Sequence, residues 1–142
     1  VFKFDNGSNK YVGEFIHGKY DGPQTEYYRN GNIKRLVETK NGVIVEVDKY
    51  WYPNGDKKSI IRYDNGIRHG KSISWYPNRQ VKRDYNFSYG KFTDKQLDYH
   101  NNGVLSFELN FKADQLHGMQ RSWDEASHLL FEKEYRFGKL VS

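Results

Sequence analysis

The 142 residues contain no cysteine, one methionine and three prolines. Without cysteine there is no disulfide, no thiolate nucleophile and no cysteine-built zinc site, and the redox compartment stays open. Only two alanines occur, Ala113 and Ala126, against 13 glycines. That balance argues against an alanine-rich helical bundle and for strands and turns. No run approaches the roughly 18 apolar residues of a membrane-crossing helix. The length suits about one domain, with room for a modest core and none for a large buried pocket. Val1 at the start, with no initiator methionine and no signal-like apolar run, is expected of a processed or trimmed chain, or of a piece of something longer.

What is there is a repeat. Aromatics recur every 24 residues at Tyr27, Trp51, Trp75, Tyr99 and Trp123. The next position reads Phe4, Tyr28, Tyr52, Tyr76, His100 and Asp124, and two further on stand Asn6, Asn30, Asn54, Asn78 and Asn102. A glycine column runs Gly18, Gly42, Gly66, Gly90 and, after Asp114, Gly138. The period divides the chain into about six copies. Asn-Gly occurs six times, and this dipeptide favours the left-handed dihedrals of tight hairpins.

Between turns the pattern alternates, as in the segment 104–111, where Leu105, Phe107, Leu109 and Phe111 share one side. Period two means strand, and short strands at regular turn spacing mean an antiparallel meander. The exception is the stretch 124–134, whose spacing also suits a helix or cap turn. Carried through the chain, the odd-numbered face reads as apolar (Ile73, Trp75, Val81, Tyr85, Phe87) and is expected to hold the sheet together. The even face reads as polar (Lys58, Arg62, Lys82, Asp84, Glu108, Glu132). The expected fold is all-β: one elongated antiparallel sheet of about six tandem 24-residue hairpins, a single array over residues 1–142.

The segment 10–22 resembles the MORN repeat, with Tyr11, Gly13, Glu14, Phe15, Gly18, Lys19 and Gly22 meeting its pattern. Later copies are similar to the bacterial variant of that repeat, found in proteins labelled YwqK-type antitoxins. The resemblance implies successive β-hairpins in one sheet and implies little about chemistry. Members include scaffolds, membrane-junction proteins and lipid-kinase accessory regions. Arg79, Asp114, Ser127, Glu46 and Asp94 depart from the pattern and are expected to weaken individual turns.

Catalytic signatures are missing: no His-Glu-x-x-His, no Gly-x-Ser-x-Gly elbow, no phosphate loop. His17, His69 and His117 each precede glycine and read as one turn-entry column, and His100 reads as a tyrosine replacement. Asp94, Asp98, Asp124 and Glu125 read as solvated edge charge. No enzymatic activity, cofactor or metal site is expected.

Binding is the remaining expectation. Residues 56–91 hold nine basic residues and three acids, a local balance of +6. Tyr28, Tyr52 and Tyr76, continued by His100, repeat beside Lys34, Lys58 and Lys82, with Arg62 and Arg68 close by in sequence. This exposed Tyr/Lys ladder is the candidate partner site. Its expected occupant is a protein, a toxin or an acidic protein, in an antitoxin, immunity or scaffold role. An anionic membrane surface and self-association through sheet ends are alternatives, and nucleic acid is disfavoured by the charge balance elsewhere in the chain.

Overall fold

A computed structural model describes residues 1–141, which hold sixteen strands and no helix. The strands form open antiparallel sheet that follows chain order, hairpin after hairpin. Two compact units divide near residue 67. The first contains β1 (Phe2–Lys3), β2 (Asn9–Ile16), β3 (Lys19–Tyr27), β4 (Ile33–Lys40), β5 (Val43–Trp51) and β6 (Lys57–Asp64). The short β7 (Ile67–Arg68) stands at the division. The second holds β8 (Gly70–Trp75), β9 (Val81–Ser88), β10 (Lys91–Phe92), β11 (Asp94–Tyr99), β12 (Leu105–Lys112), β13 (Gln115–Leu116), β14 (Gly118–Trp123), β15 (Leu129–Arg136) and β16 (Lys139–Leu140). The 124–134 stretch is therefore not helical. The Asp124 carboxylate accepts from the amides of Ala126 and His128, both at 2.9 Å. That ties a turn, after which Leu129 pairs with Trp123.

Two turn types alternate. At the first, the asparagine Oδ1 accepts the amide two residues on: Asn30 from Asn32 at 2.9 Å, Asn78 from Gln80 at 3.0 Å, Asn102 from Val104 at 3.0 Å. The next residue sits at positive φ, which glycine adopts freely at Gly31 and Gly103. Arg79 and Ser127 take the same geometry at φ 72° and 66°, so the turn survives without glycine, under strain. At the second type both central residues have positive φ, as at Asn41-Gly42 and Asn65-Gly66, which matches the twist of the flanking strands.

Each hairpin of the first turn type also carries a bulge. Glu26 pairs with Arg35 but Tyr27 with Ile33, so Lys34 has no opposite number. The same skip leaves Lys10, Lys58, Lys82, Ser106 and Leu130 unopposed. An extra residue of this kind re-aims its side chain and sharpens the local twist.

The register corrects the expected faces. Ile73 pairs with Asp84, and Ser72 with Tyr85. Ile73 thus lies with the charges, not with Tyr85 and Phe87. Parity swaps at each hairpin, so odd residues of β9, β12 and β15 share a face with even residues of β8, β11 and β14. Nor is the interior an apolar layer. Among the described residues the buried apolar side chains are Val37 and Phe87, while Gln24, Thr39, Asp48, Gln96, Ser106, Gln120 and Ser122 are buried and polar.

The glutamines explain this composition. Gln96 accepts from the Asn86 amide at 2.9 Å and donates to the Asn86 and Thr93 carbonyls at 2.9 and 2.7 Å. Gln120 does the same for Asn110, at 2.7 and 3.0 Å, and reaches the Gly118 carbonyl at 3.2 Å. Their amides take the place of backbone pairs where the strand breaks, meeting the Asn86 and Asn110 amides that would otherwise be costly to bury. Gln24 plays the part in the first unit, donating to the Glu14 carbonyl at 2.8 Å and bonding Tyr11. One period on, Asp48 instead holds Arg35 through two bonds of 2.9 Å. At Ser72 the column carries a side chain too short to span the gap, and its Oγ is buried without a partner.

Candidate partner-binding surface

The bulges create the lysine ladder. Re-aimed by the skipped pairing, the ammonium of Lys34 lies 5.8 Å from the Tyr28 ring centre, Lys58 lies 5.7 Å from Tyr52, and Lys82 lies 5.6 Å from Tyr76. Lys10 over Phe4, at 5.8 Å, starts the series. These are cation–π distances. Lys34 and Lys58 are exposed and Lys82 is half-buried.

The rings are not loose contact groups. Tyr28 Oη donates to the Trp51 carbonyl at 2.7 Å, and Tyr76 Oη to the Tyr99 carbonyl at 2.7 Å. Each ring therefore braces the following hairpin and holds its lysine in place. Burial, with Tyr28 nearby, raises the Tyr52 hydroxyl above its ordinary pKa. His100 keeps the structural half of the role, its Nε2 2.8 Å from the Trp123 carbonyl. It lacks the cationic half, because Ser106 occupies its bulge.

Arg62 and Arg68 stand apart from the ladder. Arg62 is exposed opposite Val47 and lines an open groove of about 420 Å³ with Leu36, Val47, Lys49 and Ile60, edged by Glu38 and Glu46. Arg68 is exposed and lies 5.5 Å from the Phe87 ring centre. Two other bases of the +6 window are paired: Lys71 with Asp84 at 3.2 Å and Arg83 with Asp98 at 3.3 Å.

The histidines before glycine belong to two columns, not one. His17 sits inside a two-residue turn at φ 50°. His69 and His117 instead cap the next such turn, their Nδ1 atoms accepting the amides of Tyr89 and Phe137 at 3.1 and 3.2 Å. Asp21 does this for Asn41 at 3.0 Å.

The opposite face of the second unit carries an ion-pair run. Glu108 meets Lys95 at 3.1 Å and Arg121 at 2.9 Å, and Arg121 meets Glu132 at 2.6 Å. Burial pushes the Glu108 carboxyl up, but the bonds from Lys95 and Arg121 outweigh it and leave the pKa below the usual range. On the glutamine-bearing face, burial and the bond to Asp98 push Tyr85 up to about 12. No cluster of three or more metal-ligating side chains occurs among the described residues.

Sequence reasoning missed the buried glutamines and the histidine caps. Both were present as 24-residue columns, but glutamine reads as a surface residue, and the caps join positions 20 apart across a hairpin.

These features define a β-hairpin repeat protein. Residues 20–41, 49–65 and 95–113 match the family model of the MORN repeat variant. Repeats of this kind are generally non-enzymatic modules that bind proteins or membranes. No curated protein matches the chain.

Proposed function

We propose that the chain is a non-enzymatic protein-binding repeat module that docks its partner on the Tyr/Lys ladder. An antitoxin- or immunity-like inhibitor and a scaffold are the two roles this surface suits. One observation carries the reading: the same lysine-over-ring pair recurs at Lys34, Lys58 and Lys82, at 5.6–5.8 Å. With the Tyr28 and Tyr76 hydroxyls bonded to the next hairpin, the pairs are ordered before a partner arrives, which lowers the entropy lost on binding. The exposed ammonium groups steer an acidic partner and set its register.

Truncating the tyrosines would test this poorly, because Tyr76→Ala also removes a bond that joins hairpins. The discriminating variant is Lys34→Glu/Lys58→Glu/Lys82→Glu. It is expected to keep the wild-type circular dichroism spectrum and to lose a stoichiometric partner that the wild type retains through purification from the source cells. Retention of the same partner by the folded triple variant would overturn the ladder as the docking surface.

A further inference from the structure

The two-residue turns of the second unit carry an unusual pair of residues. This turn position prefers glycine or asparagine, and Asn41 and Asn65 fill two of the three such turns in the first unit, with His17 at the other. At Tyr89 and Phe137 large aromatics hold it instead, both at φ 46°. A bulky side chain in this region is strained, and such strain persists only where the surroundings enforce it. Here they do. His69 accepts the Tyr89 amide and lies 4.2 Å from its ring, and His117 accepts the Phe137 amide and lies 4.6 Å from its ring. The histidine and the aromatic come together in both copies, 48 residues apart. In the copy between them the positions hold Thr93 and Ala113, and neither half of the device is present.

The supported rings point outward: Tyr89 is 65% exposed and Phe137 58%. Lys91 and Lys139 follow them in their turns, and Lys112 lies 5.6 Å from the Phe137 ring centre. Ala113, on the turn between, is too small to fill the gap. Four strand spacings separate the prongs, about 19 Å. The edge is thus prong, recess, prong, with basic residues alongside and one carboxylate, Asp114, on the middle turn, where it accepts the Phe92 amide at 3.0 Å.

We propose that this edge docks an acidic protein segment, with Tyr89 and Phe137 entering two apolar pockets and the lysines meeting its carboxylates. Exposed, rigid aromatics beside cations have the composition of an interface anchor. The recess favours a shaped protein surface over a fluid membrane, which would leave the Ala113 step unfilled. The surface lies at the strand ends away from Tyr76 and His100, since β9 runs eight residues between the two turns, about 27 Å. It therefore does not rest on the ladder proposal.

The test is a selection of random peptides displayed on phage against the folded full chain, followed by titration of synthetic fluorescein-labelled winners. Acidic winners with two apolar anchors are expected. Tyr89→Asn/Phe137→Asn should weaken them by about tenfold or more, and Lys91→Glu/Lys139→Glu likewise. The asparagines are the residues that the first unit uses in the same turn, so the double variant should melt no lower than wild type. Lys34→Glu/Lys58→Glu/Lys82→Glu should bind the same peptides unchanged, which separates this surface from the ladder. Winners without acidic residues, or with affinity indifferent to the asparagine variant, would overturn the proposal. So would the absence of peptide winners while vesicles of one part phosphatidylserine to three parts phosphatidylcholine bind the wild type and not that variant.

Discussion

The two units use one backbone plan and decorate opposite strand ends differently. In the first, lysines fill the bulges at 10, 34 and 58, and the two-residue turns carry His17, Asn41 and Asn65. In the second, the bulge column runs Lys82, Ser106, Leu130, while the turns become Tyr89, Ala113 and Phe137. The central row of one face changes too. Thr25, Leu36, Lys49 and Ile60 are half aliphatic, whereas Asp84, Leu97, Glu108, Arg121 and Glu132 are mostly charged. The difference teaches that the recurring bonds to backbone carry the architecture. Tyrosine and histidine reach the same carbonyl, and asparagine caps the same turn, so other columns vary without changing the fold.

The sharpest contrast lies in the buried polar column, which adds the Arg35–Asp48 ion pair to Gln24 in the first unit and bonds through the amides of Gln96 and Gln120 in the second. Arg35→Met strands the Asp48 carboxylate, only 4% exposed, and should destabilise the first unit by about 3–5 kcal/mol in urea unfolding. Arg35→Met/Asp48→Leu should recover most of that loss; a double variant no more stable than the single would show that the stranded charge is not the cause. In the second unit Gln96→Leu and Gln120→Leu each leave an amide and a carbonyl unmet, at about 2–3 kcal/mol. A change under about 0.5 kcal/mol would mean that the amide bonds are dispensable.

Smaller effects separate bracing from charge along the ladder. Tyr76→Phe and His100→Phe should each cost about 1 kcal/mol, one hydrogen bond. Lys82→Ala should cost about 0.5 kcal/mol more than Ser106→Ala, the worth of a weak cation–π pair. Equal costs for those two alanine variants would show that the lysine does not engage its ring.

The smallest expected effect concerns Glu108. Its folded pKa is lowered, so its contribution is present above the unfolded carboxylate value, about 4.3, and fades as pH falls through the folded one. The melting temperature of wild type should therefore drop more steeply than that of Glu108→Gln between neutral and strongly acidic pH. Parallel curves would remove the Lys95–Glu108–Arg121 network as a source of acid sensitivity.

Much of this was legible in the residues. The 24-residue register, the asparagine turns and the Tyr/Lys columns all stand in the sequence because each repeat solves the same local problem. The facing of side chains did not follow, since parity swaps at every hairpin and Ile73 lands among charges. The reason that Lys34, Lys58 and Lys82 reach their rings is a pairing skip, which leaves no compositional mark. His100 was legible as a tyrosine replacement, but its missing cation depends on Ser106, six residues away, being recognised as the bulge residue. The 124–134 stretch misled because its spacing fits a helix, while Asp124 commits it to a turn.

The asparagine turns carry a chemical clock. Asn-Gly is the sequence at which deamidation is fastest, because the glycine nitrogen meets little steric hindrance as it attacks the side-chain carbonyl carbon. At Asn30 and Asn102 the Nδ2 group donates to the Pro53 and Glu125 carbonyls, both at 2.9 Å. Ageing there would convert a donor into a carboxylate facing a carbonyl oxygen, loosening the joint between successive hairpins. The attacking nitrogens are themselves engaged, Gly31 donating to the Tyr28 carbonyl and Gly103 to the His100 carbonyl, both at 3.0 Å, so the fold slows the reaction that would undo it. Old preparations should accumulate their first lesions wherever a hairpin has frayed.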